Sequence, residues 1–162
     1  DIWFLPAPTQ PLSRQEREDV SAMSVVTKDG QSVDRRRWSD IHIRVLKTAA
    51  SFPEVERIFV NPAIKRELCA AVATDRAWLA KIRPWWGHNY HFHVRLGCPA
   101  GEIECQKQHP VPAGDGCDES LAWWFSDAES IRLDKPKTPF KAPKRPALAQ
   151  LPSACRGVLN GQ

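Results

Sequence analysis

Six consecutive residues, His91-Phe92-His93-Val94-Arg95-Leu96, alternate polar and apolar side chains without a break. Successive side chains of a strand point to opposite faces, so this pattern suits a half-buried strand. Phe92 and Val94 then turn into a core, while His91, His93 and Arg95 project together from the other face. A strand of this kind over Tyr90 to Leu96 requires partner strands and a layer packed on its apolar side.

The rest of the chain supplies both. Asp1 to Leu5 (DIWFL) is a short apolar strand, stopped by Pro6 and Pro8. Residues 9 to 39 are polar and mixed, with an Asp29-Gly30 turn between the extended pieces SVVT and QSV. Ser39 or Asp40 caps a helix running to about Phe52, with Ile41, Val45, Leu46 and Ala49 at helical spacing and Pro53 ending it. VERIFV, Val55 to Val60, is a strand. Asn61 then caps a helix that Pro62 starts, with Ile64, Leu68, Ala71 and Val72 on its inner face. Thr74 opens a further short helix carrying Trp78, Leu79 and Ile82, stopped by Pro84. A last short helix spans Glu119 to Phe125. Strands and helices do not alternate regularly enough for a doubly wound parallel sheet. The expected fold is α+β, a small antiparallel sheet with flanking helices.

At 162 residues, 42% hydrophobic and with seven Trp, the chain is long and apolar enough for one cored domain, expected over residues 1–130. The remainder, 131–162, is Pro-rich and basic: Arg132, Lys135, Lys137, Lys141, Lys144 and Arg145 stand against Asp134 alone between Ile131 and Leu151. It reads as a solvated tail lying over the domain, rather than a nucleic-acid-binding one. No run approaches the ~18 apolar residues of a membrane span. The sequence opens inside a strand and without Met, which suggests processing or truncation.

Five cysteines are present: Cys69, Cys98, Cys105, Cys117 and Cys155. None forms the CxxC pair of a structural zinc knuckle. Cys98 and Cys105 bracket CPAGEIEC, which can close as a small disulfide loop. Reduced thiols in a cytosolic protein are the alternative from the counts alone.

Two imidazoles side by side on a rigid strand make half of a metal site, since neutral imidazole binds zinc well. A pair of surface histidines is the plainer reading. His88, three residues earlier, and the Trp85-Trp86 pair strengthen the first. Hydrolytic zinc takes about three protein ligands and an open water position. His42, between apolar helix neighbours, and His109, in a Pro-rich loop, are poor candidates. Histidine alone supplies part of a site. Trp85, Trp86 and Tyr90 are either one wall of a cleft or core aromatics, and Arg95 suits a salt bridge within the sheet.

The strings HNYHFHVRLGCP, IFVNPAIKRELC and GDGC resemble the penicillin-insensitive murein endopeptidases, from Asp1 to about Phe125 and more loosely near Cys155. These peptidases belong to a wider zinc group that includes D-alanyl-D-alanine peptidases, lysostaphin-type enzymes and the hedgehog signalling domain. The resemblance implies a fold of that type, incomplete at its N-terminus. It implies Zn2+ held by a His, an Asp seven residues later, and the second His of His-x-His. Here the Asp is Asp1 and the second His is His93; the first metal His would precede Asp1, so the full-length enzyme is expected to be active and this fragment impaired. It further implies His91 as general base and His88 as an oxyanion or leaving-group partner. The implied substrate is peptidoglycan, at its D-alanyl-meso-diaminopimelyl cross-links, in a Gram-negative periplasm. The implied disulfides are Cys69–Cys117 beside Cys98–Cys105, leaving Cys155 to pair upstream. A non-catalytic murein- or protein-binding module that keeps a residual metal site is the alternative.

Overall fold

The computed structural model describes residues 1–126 and 157–158. The basic tail expected over 131–162, and with it Cys155, lies outside the described residues apart from 157 and 158.

The elements follow the sequence closely. They are β1 (Ile2–Trp3), α1 (Arg14–Asp19), α2 (Asp40–Ser51), β2 (Val55–Val60), α3 (Pro62–Ala71), β3 (Ile82–Pro84), β4 (His91–Leu96) and α4 (Glu119–Ala122). Single 3-10 segments cover Ala77–Lys81 and Trp123–Phe125. The four strands form one sheet in the order β1-β4-β2-β3. Pairings β1–β4 and β2–β4 are antiparallel, as expected. The β2–β3 pairing is parallel, with Ile58, Phe59 and Val60 opposite Ile82, Arg83 and Pro84. The sequence reading assigned Ile82 to a helix. The helical part is only the five-residue segment Ala77–Lys81, and the chain then extends beside β2. Pro84 ends β3 at the sheet edge, where its missing N–H costs little.

Local chemistry explains the helix starts. Asn61 accepts a hydrogen bond from Ala63 N and Pro62 occupies the first turn, so α3 begins there. Ser13 and Glu16 form a reciprocal capping box at α1, a Ser-x-x-Glu signal that the polar composition of residues 9–39 concealed. At α2 the buried stripe is His42, Leu46 and Ala50; Ile41 and Val45 are exposed. The expected apolar stripe is therefore rotated. His42 can take a core position because both ring nitrogens have partners, at Ser39 and at Phe4 O (3.1 Å), and because its ring stacks on Trp38 at 4.9 Å.

The core lies on one side of the sheet. Ile58, Val60, Ile82 and Phe92 are fully buried there against Leu46, Ile64, Leu68 and Leu79. On α3, Ile64 and Leu68 are buried as expected, but Ala71 is exposed and the charged Lys65 is fully buried. Lys65 Nζ donates to Leu79 O (2.7 Å) and to Asp115 O.

Two disulfides brace the loops. Cys98–Cys105 closes the small loop after β4, and Cys69–Cys117 ties the Gly114–Cys117 loop to α3. The Thr27–Ser32 turn forms with Gly30 at φ +70° and Val26 bridged to Val33.

Candidate functional site

Asp1, His91, His93 and Arg95 share the sheet face opposite the core, and His88 lies in the turn before β4. Register sets Ile2 opposite Phe92 and Trp3 opposite His91, which leaves Asp1 beside His93. His93 in turn lies opposite Phe59, and Phe59 opposite Arg83. Residues directly opposite share a face. One row therefore crosses all four strands: Asp1, His93, Phe59, Arg83.

Asp1, His88, His91 and His93 come together. Asp1 Oδ1 lies 2.8 Å from His93 Nδ1, and Asp1 Oδ2 lies 3.7 Å from His91 Nε2. The His88 ring is 4.9 Å from that of His91 and 6.2 Å from that of His93.

His88 reaches the cluster through an unusual turn. Gly87 and His88 both take left-handed backbone, at φ +67° and +50°. That conformation is costly for a residue with a Cβ and needs support. Asn61 supplies it: its side-chain amide donates to Gly87 O (2.8 Å) and its backbone N–H to His88 O (3.0 Å). The residue that caps α3 thus also fixes His88. His88 Nδ1 sits 2.7 Å from Trp86 O, which orients the ring.

The His91 side chain is less exposed than that of His93. Its Nδ1 is buried without a hydrogen-bond partner. Burial, then the neighbouring His88 and His93, hold its pKa below the usual histidine range. Its Nε2 is directed toward Asp1, 3.7 Å from Oδ2.

Aromatic side chains frame the cluster. Tyr90 packs on His91 (4.5 Å), Phe59 on His93 (5.9 Å), and Trp85 on Phe59 (5.6 Å). Trp86 packs on Trp124 at 4.6 Å. Arg95 meets Glu56 at 3.7 Å, the in-sheet pairing expected of it, and donates to Gln106 O. His42 is a core residue and His109 contributes only its carbonyl, to Arg57. Sequence reasoning missed Asn61, Phe59, Arg57 and Arg83. The signal for two of them was present, since the alternation in VERIFV puts Arg57 and Phe59 opposite the buried Ile58 and Val60.

The chemistry of the donors suits zinc, which takes imidazole nitrogen and carboxylate oxygen. Asp1 and His93 already converge on one point. They are two donors, and among the described residues no group of three or more His, Cys, Asp or Glu is gathered to hold a metal.

A family model described as penicillin-insensitive murein endopeptidase matches residues 1–160. A Haemophilus influenzae protein named penicillin-insensitive murein endopeptidase is 48% identical across 99% of this chain, which spans 53% of that protein. The protein of the same name from Pectobacterium atrosepticum is 42% identical over 99% of this chain and 54% of its own length. That from Yersinia enterocolitica is 41% identical, again over 99% of this chain and 54% of its own length. The chain spans about half the length of the curated relatives it matches.

Proposed function

This chain belongs to the penicillin-insensitive murein endopeptidase family, and from that premise we propose that it carries the catalytic face of a zinc endopeptidase acting on peptidoglycan. The bond is the D-alanyl-meso-diaminopimelyl cross-link, and the compartment is the Gram-negative periplasm. The observation that carries this reading is the convergence of Asp1, His88, His91 and His93 beside the sheet face opposite the core. Both disulfides fit an oxidising compartment, and no helix among the described residues is long and apolar enough to cross a membrane.

Asp1 and His93 would hold the zinc, which when bound polarises a carbonyl and lowers the pKa of water. The remaining steps belong to the protein. His91, whose pKa its surroundings lower, would take a proton from the attacking water through Nε2, the ring nitrogen that faces the Asp1 carboxylate. The water oxygen adds to the scissile carbonyl carbon, and the proton is returned to the leaving amine as the C–N bond breaks. His88, fixed over the same site, donates to the developing oxyanion or to that amine. Tyr90 and Trp85 shield one side of the site from solvent.

Among the described residues two donors converge, and the second reading is a non-catalytic murein- or protein-binding module with a residual metal site. Metal analysis and murein digestion separate the two. His93→Ala is expected to lose zinc. His91→Ala is expected to keep zinc while turnover falls about 10²–10⁴-fold, the usual worth of a general base. Equal zinc loss in both variants would reverse the assigned roles. Zinc retention without digestion by the unaltered chain would establish the binding module.

A further inference from the structure

Arg83 occupies the far end of the row that begins at Asp1. It is half-buried, yet its guanidinium has no hydrogen-bond or ion-pair partner among the described residues. The other two arginines of this face are engaged: Arg57 holds His109 O, and Arg95 holds Gln106 O and meets Glu56. The acidic group that Arg83 senses is Asp118, whose carboxylate accepts from Ser120 N and Ser120 Oγ at 3.0 and 2.6 Å. Burial, and then Arg57, push the Arg83 pKa down, so its charge is under-compensated where it sits.

The surroundings are shaped to the guanidinium. Gly116, at φ +68°, presents a bare Cα to it; a Cβ there would lie 2.9 Å from Arg83 Nη1. The Cys69–Cys117 disulfide and the Lys65 hydrogen bond to Asp115 O fix that loop in place. A partly desolvated cation with no ion-pair partner among the described residues is unfavourable, and a planar guanidinium is suited to a carboxylate in bidentate geometry.

Resting on the proposed peptidase reading, we propose that Arg83, with Arg57 beside it, is the subsite for a free carboxylate of the peptide bound along this face. Two strand spacings separate the His93 and Arg83 backbones, about 10 Å. An extended peptide covers that in about three residues. The occupant is thus a carboxylate a short way along the peptide from the bond at His91. In a diaminopimelate cross-link such groups are plentiful.

The test uses the His91→Ala chain, so that the peptide survives, titrated by calorimetry with a cross-linked diaminopimelate peptide and with its carboxamide form. The free-carboxylate peptide is expected to bind about tenfold more tightly, the scale of one charge-assisted hydrogen-bonded pair. Adding Arg83→Gln should bring the two peptides to parity, and Arg83→Lys should restore part of the preference. An unchanged preference in Arg83→Gln overturns the subsite, as does equal binding of both peptides before Arg83 is altered. Murein digestion by the unaltered chain decides the peptidase reading separately. An Arg83-dependent preference without digestion supports the subsite and removes the hydrolytic role.

Discussion

The two faces of the four-stranded sheet solve opposite problems with alternate residues of the same strands. On one face, Ile58, Val60, Ile82 and Phe92 are sealed beneath helices. On the other, Arg57, Phe59, Arg83, His91, His93 and Arg95 stay accessible in part, and several of their polar atoms lack partners. The buried face specifies the fold; the other face carries the charged and imidazole side chains. Because the two sets share a backbone, the rigidity of the first positions the second.

That division predicts unequal responses to substitution. Phe92→Ala should destabilise the chain by about 3–5 kcal/mol, the cost of emptying an aromatic core site. His93→Ala, the next residue, should change stability by less than about 1 kcal/mol. Urea unfolding of both compares the faces directly, and similar losses would mean that the open face also holds the fold together.

The two disulfides sharpen the contrast. Cys69–Cys117 closes 48 residues and Cys98–Cys105 closes seven. Chain entropy alone gives about 4 kcal/mol for the first and about 2 kcal/mol for the second when each is replaced by a Ser pair. The first should also weaken any Arg83-dependent binding, because it anchors the loop against that guanidinium. Calorimetric melting of the two Ser-pair variants measures the difference.

A pH-dependent effect concerns a charge behind the buried face, Lys65. Burial, and then Arg83, lower the Lys65 pKa from an ordinary 10.5 to about 8. Between those values the unfolded chain binds more protons than the folded one, so stability rises with pH across that window. The slope is bounded at about 1.4 kcal/mol per pH unit. Urea midpoints taken between pH 7 and 9.5 should climb in the native chain, and Lys65→Met should lose that part of the climb.

Much of the molecule was legible in the sequence because period and caps are local signals. The alternation in HFHVRL and VERIFV, and the Asn61-Pro62 start, lead directly to β4, β2 and α3. The resemblance placed Asp1, His88, His91 and His93 in one site, and geometry brings them together. The misses were non-local. β3 is three residues long and exists only because β2 lies beside it. His42 fills a core position that hydropathy gives to Ile41 or Val45, since its partners at Phe4 and Trp38 are distant or outside the helix. Lys65 sits in the interior because Leu79 and Asp115 bring carbonyls to it. Arg83 joins the site face through register across two strands, which no local pattern encodes.

The strand bearing Asp1 has a consequence in time as well as in space. It is two residues long, and its pairing of Ile2 with Phe92 joins positions 90 apart. Contacts of such long range form late, because the chain entropy of closing the loop must be overcome before the contact contributes. During refolding, β2 and β4, only some thirty residues apart, can associate while β1 is still searching. The carboxylate would then meet His93 last, through the docking of Phe4 beside Trp38, His42 and Phe92. In pulse-labelled hydrogen exchange, the amide of Phe4, bonded to Tyr90 O, should gain protection after those of Ile58 and Val94. Site competence would then lag behind formation of the sheet that displays it.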